Sequence, residues 1–351
     1  MRYPHFISKS DTIGFPAPSF GCATEPYSSC FDAALKYLEG EGFGILEGPN
    51  SRAAEGIGIS NLPEKCGREL TDMYLSDANN ALITCGGGEM MCEILEYVDL
   101  DAMKESEPKW VMGFSDITNI IYPLVTICDT AAIYGTNAPS FGVRKIHDSV
   151  LTSLEILKGK CRKVHSYDMY EIESLRSEED PFAPINDIQI SLKSVYDGKA
   201  LSAPGEFEGS LSFSGRLIGG CMDCLENLIG TSFDRTADFL HRYSDDGVIF
   251  CLESCDLNVF SIRRAMWHFE KAGWFEKGII KGFLIGRPYN GDPIINLDHI
   301  NAVMPYIRKY DCPAVLDCDL GHNPPSMPLV MGCIGHVNVS GNDLEIDMEF
   351  A

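Results

Sequence analysis

The chain has 351 residues, of which 45% are hydrophobic and 23% charged, a composition typical of a folded globular protein rather than a disordered or fibrous one. Its 28 basic and 51 acidic residues give a formal net charge of -23, which repels nucleic-acid backbones and anionic membrane surfaces. We therefore expect neither nucleic acid nor a membrane as a partner, and a chain of this length is expected to form two domains.

The N-terminus and the cysteines together predict a cytoplasmic protein. The first six residues lack the apolar stretch of a secretory signal, and no apolar run approaches the ~20 residues of a membrane span. The 14 cysteines are then expected to be reduced and mostly buried. The one C-x-x-C, Cys221 to Cys224, has no second pair at the spacing of a zinc site, so we expect no metal.

In the first half of the chain, short apolar segments alternate with amphipathic ones, which predicts a parallel sheet covered by helices. The predicted strands are residues 12–15, 81–84 and 110–112. Apolar residues at helical spacing predict two helices, one carrying Phe31, Ala34, Leu35 and Leu38, and the other Ile117, Ile120, Ile121, Leu124 and Val125.

The second half begins after a charged, proline-containing stretch that we interpret as a linker. The domains are then expected to be residues 1–165 and 211–351, joined by residues 166–210. Strand-like segments recur beyond the linker, and one helix is predicted at residues 262–272. The strand-like segments are residues 216–218, 247–252, 279–285 and 314–316.

Ser115 is the first candidate for chemistry, because ligands bind beyond the carboxyl ends of parallel strands. It follows a predicted strand and Gly113 and precedes a helix, the arrangement of a nucleophile elbow. The peptide N–H of Asp116 would then face a developing oxyanion. The alternative is that Ser115 or Asp116 only caps the helix, and Ile117 replaces the last glycine of the G-x-S-x-G pattern.

A run of three glycines, residues 86–88, follows the predicted strand 81–84. Without side chains, its backbone N–H groups would approach a ligand closely, as an oxyanion donor must. Met91 stands where a dinucleotide fingerprint needs glycine, which disfavours a nucleotide-dependent oxidoreductase. A simple tight turn is the alternative.

Two candidate partners for Ser115 also follow strands. Glu253 ends the apolar segment 248–252, and His322 precedes the rigid sequence Asn-Pro-Pro. A carboxylate that holds a neutral imidazole lets the ring deprotonate a serine, so Ser115, His322 and Glu253 would form such a relay. Each residue alone is also common in structural roles, and spacing along the sequence does not show that the three meet.

Taken together, these segments resemble the LD-carboxypeptidase family of serine peptidases, which includes the microcin C immunity proteins. The similar blocks occur in the family's order over nearly the whole chain. They are residues 11–14 with 17–19, Gly87 and Gly88, residues 109–118 (KWVMGFSDIT), residues 215–220 with 228–231, residues 251–254, and Gly321 with His322.

The resemblance implies a catalytic triad of Ser115, Glu253 and His322, with an oxyanion hole formed by backbone N–H groups of Gly88 and Asp116. It implies an α/β fold with an N-terminal Rossmann-like (flavodoxin-like) parallel-sheet domain and a C-terminal β-rich (β-barrel-like) α/β domain. It further implies a homodimer that needs no cofactor.

By the same resemblance, the expected activity is a serine carboxypeptidase that removes a C-terminal D-amino acid from murein-type peptides, with Gly87 and Asn137 contacting the substrate. Asn137 stands in Asn-Ala-Pro, where many members carry His-Gly-Pro, which is a departure from the family's pattern in a segment expected to contact the substrate. Hydrolysis of an aminoacyl-nucleotide conjugate is the second interpretation, and a non-catalytic peptide-binding protein is the third.

The immunity proteins carry a tryptophan in the middle segment that stacks on a nucleobase. In this chain the three tryptophans, at positions 110, 267 and 274, all lie outside that segment. Tyr167, Tyr170, Phe182 or Tyr196 would have to replace it, although aromatic residues in such a loop more often pack locally.

Overall fold

The computed structural model describes residues 1–351, and the chain divides into two compact units. The first unit comprises Met1–Cys161 and Glu173–Asn186, and the second comprises Arg162–Ile172 and Asp187–Ala351. The divisions therefore fall within or beside the segment 166–210, where the sequence pattern suggested a linker. No helix in the protein combines the length and the apolar character needed to cross a bilayer.

The first unit has α/β structure, as the alternating sequence pattern predicts. Its strands are β1 (Thr12–Phe15), β2 (Gly44–Glu47), β3 (Ala81–Ile83), β4 (Trp110–Gly113) and β5 (Ala132–Tyr134). Its α-helices are α1 (Tyr27–Gly40), α2 (Pro63–Leu75), α3 (Leu100–Glu105), α4 (Thr118–Thr126) and α5 (Asp148–Leu157). Short 3₁₀ helices span Met91–Tyr97, Ser115–Ile117 and Ala138–Gly142.

These five strands lie in the order β5-β4-β3-β1-β2, and every neighbouring pair is parallel. Strands β3 and β4 are buried along their whole length, which explains their uninterrupted apolar sequences. In their register Ile83 lies beside Met112, so the two strands end at the same edge of the sheet. The loops that follow them, which carry Gly86–Gly88 and Ser115, therefore begin side by side.

The second unit is rich in strands. They are β6 (Lys163–His165), β7 (Met169–Glu171), β8 (Asp187–Ile190), β9 (Ser194–Tyr196), β10 (Ser210–Cys221), β11 (Val248–Glu253), β12 (Ile280–Gly286), β13 (Ala314–Cys318), β14 (Leu329–Met331), β15 (Ile334–Ser340) and β16 (Asp343–Glu349). Its α-helices are α6 (Met222–Leu228), α7 (Thr236–Arg242), α8 (Val259–Lys271) and α9 (His299–Ile307). The predicted helix at 262–272 corresponds to α8.

Eight of these strands form one mixed sheet in the order β6-β16-β15-β10-β11-β12-β13-β9. Its central strands, β10 to β13, are parallel to one another, and the strands on either side are antiparallel. In the register of β10 and β11, Cys221 lies beside Glu253. The parallel centre therefore gathers several strand ends at one edge of the sheet.

The segment 166–210 contains three short strands, β7, β8 and β9. β7 and β8 pair with each other as an antiparallel hairpin, and β9 forms an edge of the eight-stranded sheet. All four residues of β8 are exposed, so this strand carries no alternation of buried and exposed positions. Its sequence, DIQI, nevertheless alternates polar and apolar residues, so the strand signal is present although both isoleucines are exposed.

Candidate active site

Ser115 lies at a strained turn between β4 and α4. Its φ angle is +67°, in the left-handed region that residues with a side chain rarely adopt. Such a conformation costs on the order of 1–3 kcal/mol and persists only where the surroundings impose it, often at functional sites. The Ser115 N–H donates a hydrogen bond of 3.2 Å to the Tyr134 hydroxyl, and the serine is only half-buried. The turn therefore has the geometry of a nucleophile elbow.

The alternative role of Ser115 and Asp116 as helix caps is not observed. Neither the 3₁₀ turn Ser115–Ile117 nor α4 has a side-chain hydrogen bond at its N-cap. The Asp116 carboxylate is buried and instead accepts hydrogen bonds from Ser19 Oγ (2.5 Å), Met91 N (3.0 Å) and Asn119 Nδ2 (2.8 Å). The carboxylate thereby links the segments that contain Ser19, Met91 and Asn119 to the turn.

The glycine turn after β3 lies directly against Ser115. A Cβ atom at Gly87 would stand 2.9 Å from Ser115 Cβ and 3.1 Å from Ser115 Oγ, closer than the packing allows without a shift. A glycine therefore brings the backbone of this turn next to the serine hydroxyl. The expectation that Gly88 and Asp116 supply oxyanion donors, and that Gly87 contacts the substrate, remains a prediction.

Asn137, predicted to contact the substrate, is buried behind the nucleophile turn. Its Oδ1 atom accepts hydrogen bonds from Thr84 Oγ1 (2.8 Å) and from Phe114 N (3.4 Å). It thereby links the loop after β3 to the residue that precedes Ser115. These bonds give Asn137 a positioning role, and contact with a substrate remains a prediction.

In the second unit, Glu253 and His322 form a close pair. Glu253 ends β11 and is completely buried, and the His322 side chain is 13% exposed. His322 Nδ1 lies 2.7 Å from Glu253 Oε2, so the ring donates its Nδ1 proton to the carboxylate. Gly321 has a φ of +103°, and a Cβ there would stand 2.3 Å from the same carboxylate oxygen. Glycine is therefore required next to His322 for the pair to form.

Two opposing effects set the pKa of His322. Burial lowers the pKa, but the charge of Glu253 and hydrogen bonds with Cys255 and Glu253 outweigh it, so the pKa lies well above its ordinary value. A carboxylate that raises the pKa in this way also stabilises the imidazolium that forms when the ring takes a proton. His322 can therefore act as a base, because Glu253 stabilises the protonated ring.

Sequence reasoning missed the thiols around this pair. The Cys221 sulfur, a Glu253 oxygen and a His322 nitrogen all lie within 4.8 Å of one another, and the Cys255 thiol is hydrogen-bonded to His322. The predicted strands 216–218 and 247–252 could have indicated that Cys221 lies near Glu253. If paired in parallel as neighbours, they place Cys221 and Glu253 at adjacent strand ends.

The aromatic residues proposed to replace a stacking tryptophan occupy different environments. Tyr196 is buried in β9, and its hydroxyl donates to Gly198 O (3.0 Å), which is local packing. The Tyr170 ring lies against the Arg287 guanidinium, with 4.1 Å between the guanidinium carbon and the ring centroid. Tyr170 is partly exposed and, with Tyr167, remains a candidate for stacking in the second unit.

Comparison with known proteins decides the family. Residues 13–135 match the family model described as the LD-carboxypeptidase N-terminal domain, and residues 214–337 match that of the LD-carboxypeptidase C-terminal domain. The chain belongs to the LD-carboxypeptidase family. The first matched region contains Ser115, and the second contains both Glu253 and His322. The resemblance found in the sequence blocks is thereby confirmed.

Relatives of this LD-carboxypeptidase family member cover almost the whole chain. A predicted carboxypeptidase of Vibrio cholerae is 21% identical over 354 residues, covering 99% of this chain and 98% of the relative. The structure of an MccF-like protein from Bacillus anthracis superposes with a TM-score of 0.79 at 20% identity, covering 99% of this chain and 100% of the other. The microcin C7 self-immunity protein MccF, solved with aspartyl sulfamoyl adenosine, gives a TM-score of 0.77 at 18% identity, with 98% of both chains covered. These structures confirm the fold.

Proposed function

We propose that this protein is a serine amide hydrolase, with Ser115 as the nucleophile, His322 as the general base and Glu253 as the residue that orients and stabilises the ring. The observation that carries the proposal is the left-handed conformation of Ser115 at the end of β4. Strain at a half-buried serine, packed against a glycine turn, is typical of a nucleophile and has no evident structural use. The buried Glu253–His322 hydrogen bond supports the same chemistry from the second unit.

In the first step, the Ser115 oxygen attacks the amide carbonyl carbon while its proton passes to the Nε2 atom of His322. Glu253 keeps the Nδ1 proton and balances the charge of the imidazolium. We assign the oxyanion to the backbone N–H groups of Gly88 and Asp116. Removal of one such donor typically raises the barrier by about 3 kcal/mol.

In the second step, the C–N bond breaks and the imidazolium gives its proton to the leaving amine. The acyl group remains on Ser115 as an ester. A water molecule then attacks this ester, His322 accepts the proton of the water, and the acid is released as Ser115 recovers its hydrogen. The cycle consumes one water and needs no metal or organic cofactor.

The substrate we favour is a murein-type peptide from which a C-terminal D-amino acid is removed. The family description and the carboxypeptidase name of the Vibrio cholerae relative support this choice. We further propose that the enzyme acts in the cytoplasm as a homodimer, in the recycling of peptidoglycan fragments. The net charge of -23 repels nucleic acid, which we therefore do not expect as a partner.

A second candidate substrate is an aminoacyl-nucleotide conjugate, because a solved neighbour of the same fold contains aspartyl sulfamoyl adenosine. Binding of such a conjugate would require an aromatic residue to stack on the base. Tyr167 and Tyr170 are the candidates in the second unit, and Tyr170 is held in place by Arg287. Cleavage of the aminoacyl amide would use the same serine chemistry.

The two substrates are separated by incubating purified protein with a murein tetrapeptide and with an aminoacyl sulfamoyl adenosine, and identifying the products by mass spectrometry. Release of a terminal D-alanine from the peptide is the expected result. Release of the amino acid from the nucleotide alone would overturn the peptide assignment. If neither is cleaved but the Ser115→Ala variant and the wild type bind the peptide equally, the protein is a non-catalytic binder and the hydrolase proposal fails.

A further inference from the structure

The ends of β10 and β11 hold a compact group of metal-ligating side chains. Cys221 ends β10, Glu253 ends β11, and the two residues are partners in the parallel register. With His322 they present one sulfur, one oxygen and one nitrogen atom within 4.8 Å of one another. Both Cys221 and Glu253 are buried. Three different ligand types therefore converge on one small, dry volume.

A second thiol lies beside Cys221, although its sulfur is outside the group of atoms within 4.8 Å. Cys224, in the first turn of α6, completes a C-x-x-C sequence with Cys221, and the two thiols are hydrogen-bonded to each other. This spacing is common in zinc sites because both sulfurs reach one ion. The sequence predicted no metal because it contains no second C-x-x-C. In the fold, the remaining ligands come from the end of β11, at Glu253, and from the loop after β13, at His322.

Asp223, the residue inside the C-x-x-C, holds the cluster in place. Its carboxylate accepts hydrogen bonds from the Cys221 thiol (3.4 Å) and from the backbone N–H groups of Cys255 (3.2 Å), Asp256 (2.8 Å) and Leu257 (3.2 Å). The loop that follows Glu253 is thereby fixed to the turn that carries both cysteines. Such outer contacts orient metal ligands and contribute to affinity.

We infer that this cluster binds Zn²⁺, with Cys221, Glu253 and His322 as ligands and Cys224 as the fourth. Tetrahedral zinc with these ligands keeps the ligand atoms roughly 3.5 Å apart, so the side chains have to rearrange around the ion, with the two sulfurs moving toward Glu253 and His322. Two thiolates and an imidazole select zinc over Mg²⁺ and Ca²⁺, which prefer oxygen ligands. Binding releases the thiol protons to solvent, and the net charge of -23 favours the approach of a cation.

The consequence for activity rests on the proposed function. A zinc ion at this place occupies the imidazole and the carboxylate that are assigned to accept the Ser115 proton. The hydrolase is then inhibited while zinc is bound and recovers when a chelator removes the ion. The metal acts here as an inhibitor of the base and takes no part in the hydrolytic cycle.

Cobalt titration of the full-length, reduced protein tests the site without measuring activity. Co²⁺ replaces zinc in such sites, and its thiolate charge-transfer and tetrahedral d–d absorption bands report the ligands directly. We expect one equivalent to bind with both sets of bands, and Zn²⁺ to abolish them. Cys221→Ala and Cys221→Ser are expected to weaken the thiolate band, because only Cys224 then supplies a sulfur, and to weaken binding more than roughly 100-fold.

Cys312→Ala is the matched control, since Cys312 is also buried in the second unit but lies outside the cluster. Its cobalt spectrum is expected to equal that of the wild type. His322→Gln is expected to weaken binding without removing the thiolate band, which separates ligand loss from misfolding. An octahedral spectrum without thiolate bands in the wild type, or a thiolate band of wild-type intensity in both Cys221 variants, would overturn the assignment.

The cobalt titration and the hydrolase assay test the metal site and the proposed function independently. Cobalt bound through Cys221 in a protein that hydrolyses neither candidate substrate upholds the metal site and removes the proposed function. Hydrolysis by a protein that binds no cobalt at Cys221 upholds the function and removes the metal site. Where both hold, zinc is expected to inhibit hydrolysis in proportion to occupancy of the site.

Discussion

The turn that carries Ser115 and the pair formed by Glu253 and His322 are constructed by different physical means. Ser115 is positioned by backbone geometry: a left-handed φ of +67° and a glycine turn within contact distance. His322 is positioned and tuned by a buried charge 2.7 Å away. Changes of backbone freedom should therefore act mainly on the first region, and changes of charge mainly on the second.

The two regions also differ in the origin of their unfavourable free energy. The backbone strain at Ser115 is local, and the residue lies at the edge of a sheet whose neighbouring strands β3 and β4 are fully buried. The Glu253 carboxylate is completely removed from water, which is unfavourable unless a partner compensates it. Because His322 is that partner, loss of either member of the pair is expected to disturb the other, whereas Ser115 is expected to tolerate substitution structurally.

The largest effect is expected for Ser115→Ala. If the serine is the nucleophile, kcat falls by roughly 10⁶-fold, as for the nucleophile of other serine hydrolases. Ser115→Gly is the matched control, because glycine adopts the left-handed conformation without strain. Both variants should be inactive in the mass-spectrometric assay, and the glycine variant should unfold with a free energy about 1 kcal/mol higher than the alanine variant. Residual turnover near the wild-type level would contradict the account.

Glu253→Gln is expected to lower kcat by roughly 10⁴-fold, because the amide keeps the size of the side chain but neither holds the tautomer nor balances the imidazolium. In the wild type, kcat/KM is expected to rise with pH through the raised pKa of His322, since only the neutral ring is a base.

Without the carboxylate charge, burial dominates and the pKa of His322 falls. The rise in kcat/KM of Glu253→Gln should therefore occur at lower pH than in the wild type. Profiles of kcat/KM against pH for the two proteins measure this shift. A rise at the same pH in both would show that Glu253 does not set the pKa of the base.

Gly321→Ala tests the packing of the charged pair. The added Cβ would meet the Glu253 carboxylate, and a 1 Å misplacement of a catalytic group typically costs about 10²-fold in rate. Gly278→Ala is the control, since Gly278 has a similar φ of +93° and no atom within 4 Å of the added Cβ. Both variants should lose about 1–2 kcal/mol of stability from backbone strain, and only Gly321→Ala should also lose activity. Equal kinetics for the two would argue against this role of Gly321.

Gly87→Ala is expected to give the smallest effect, about 10-fold in kcat, because its Cβ would stand 2.9 Å from Ser115 Cβ and the two residues have to move slightly apart. The φ of Gly87 is not left-handed, so little stability should be lost. Gly40→Ala, where the added Cβ meets nothing within 4 Å, should leave both rate and thermal unfolding unchanged. A drop in stability of Gly87→Ala without a drop in rate would assign that glycine to folding alone.

The sequence predicted several elements that follow simple periodicity but missed others, such as the alternating strands β15 and β16. The apolar segments 81–84 and 110–112 identified β3 and β4, because buried parallel strands have continuous apolar sequences. β8 was missed although its sequence alternates polar and apolar residues, because it lies in the stretch interpreted as a linker. The start of β10 was missed as well, since residues 210–214 alternate only between exposed and half-exposed positions.

For the site, spacing indicated Ser115 as a strand-to-helix residue, but its left-handed φ cannot be derived from sequence. Glu253 and His322 are 69 positions apart, and only the family resemblance connected them before the structure showed their hydrogen bond. The bonds by which Asp223 fixes the loop after Glu253 depend on the side-by-side ends of β10 and β11. Which of these residues come together depends on how the strands pair in space, and a local sequence pattern does not show that pairing.

The central claim is that Ser115, His322 and Glu253 act as one catalytic unit. The most direct test is the rate at which a fluorophosphonate labels the serine, followed by mass spectrometry of the modified peptide in the wild type, His322→Gln and Glu253→Gln. The account predicts a single adduct at Ser115 in the wild type, with labelling slowed by orders of magnitude in both variants. An adduct at another residue, or Ser115 labelled at the same rate in all three proteins, would contradict it.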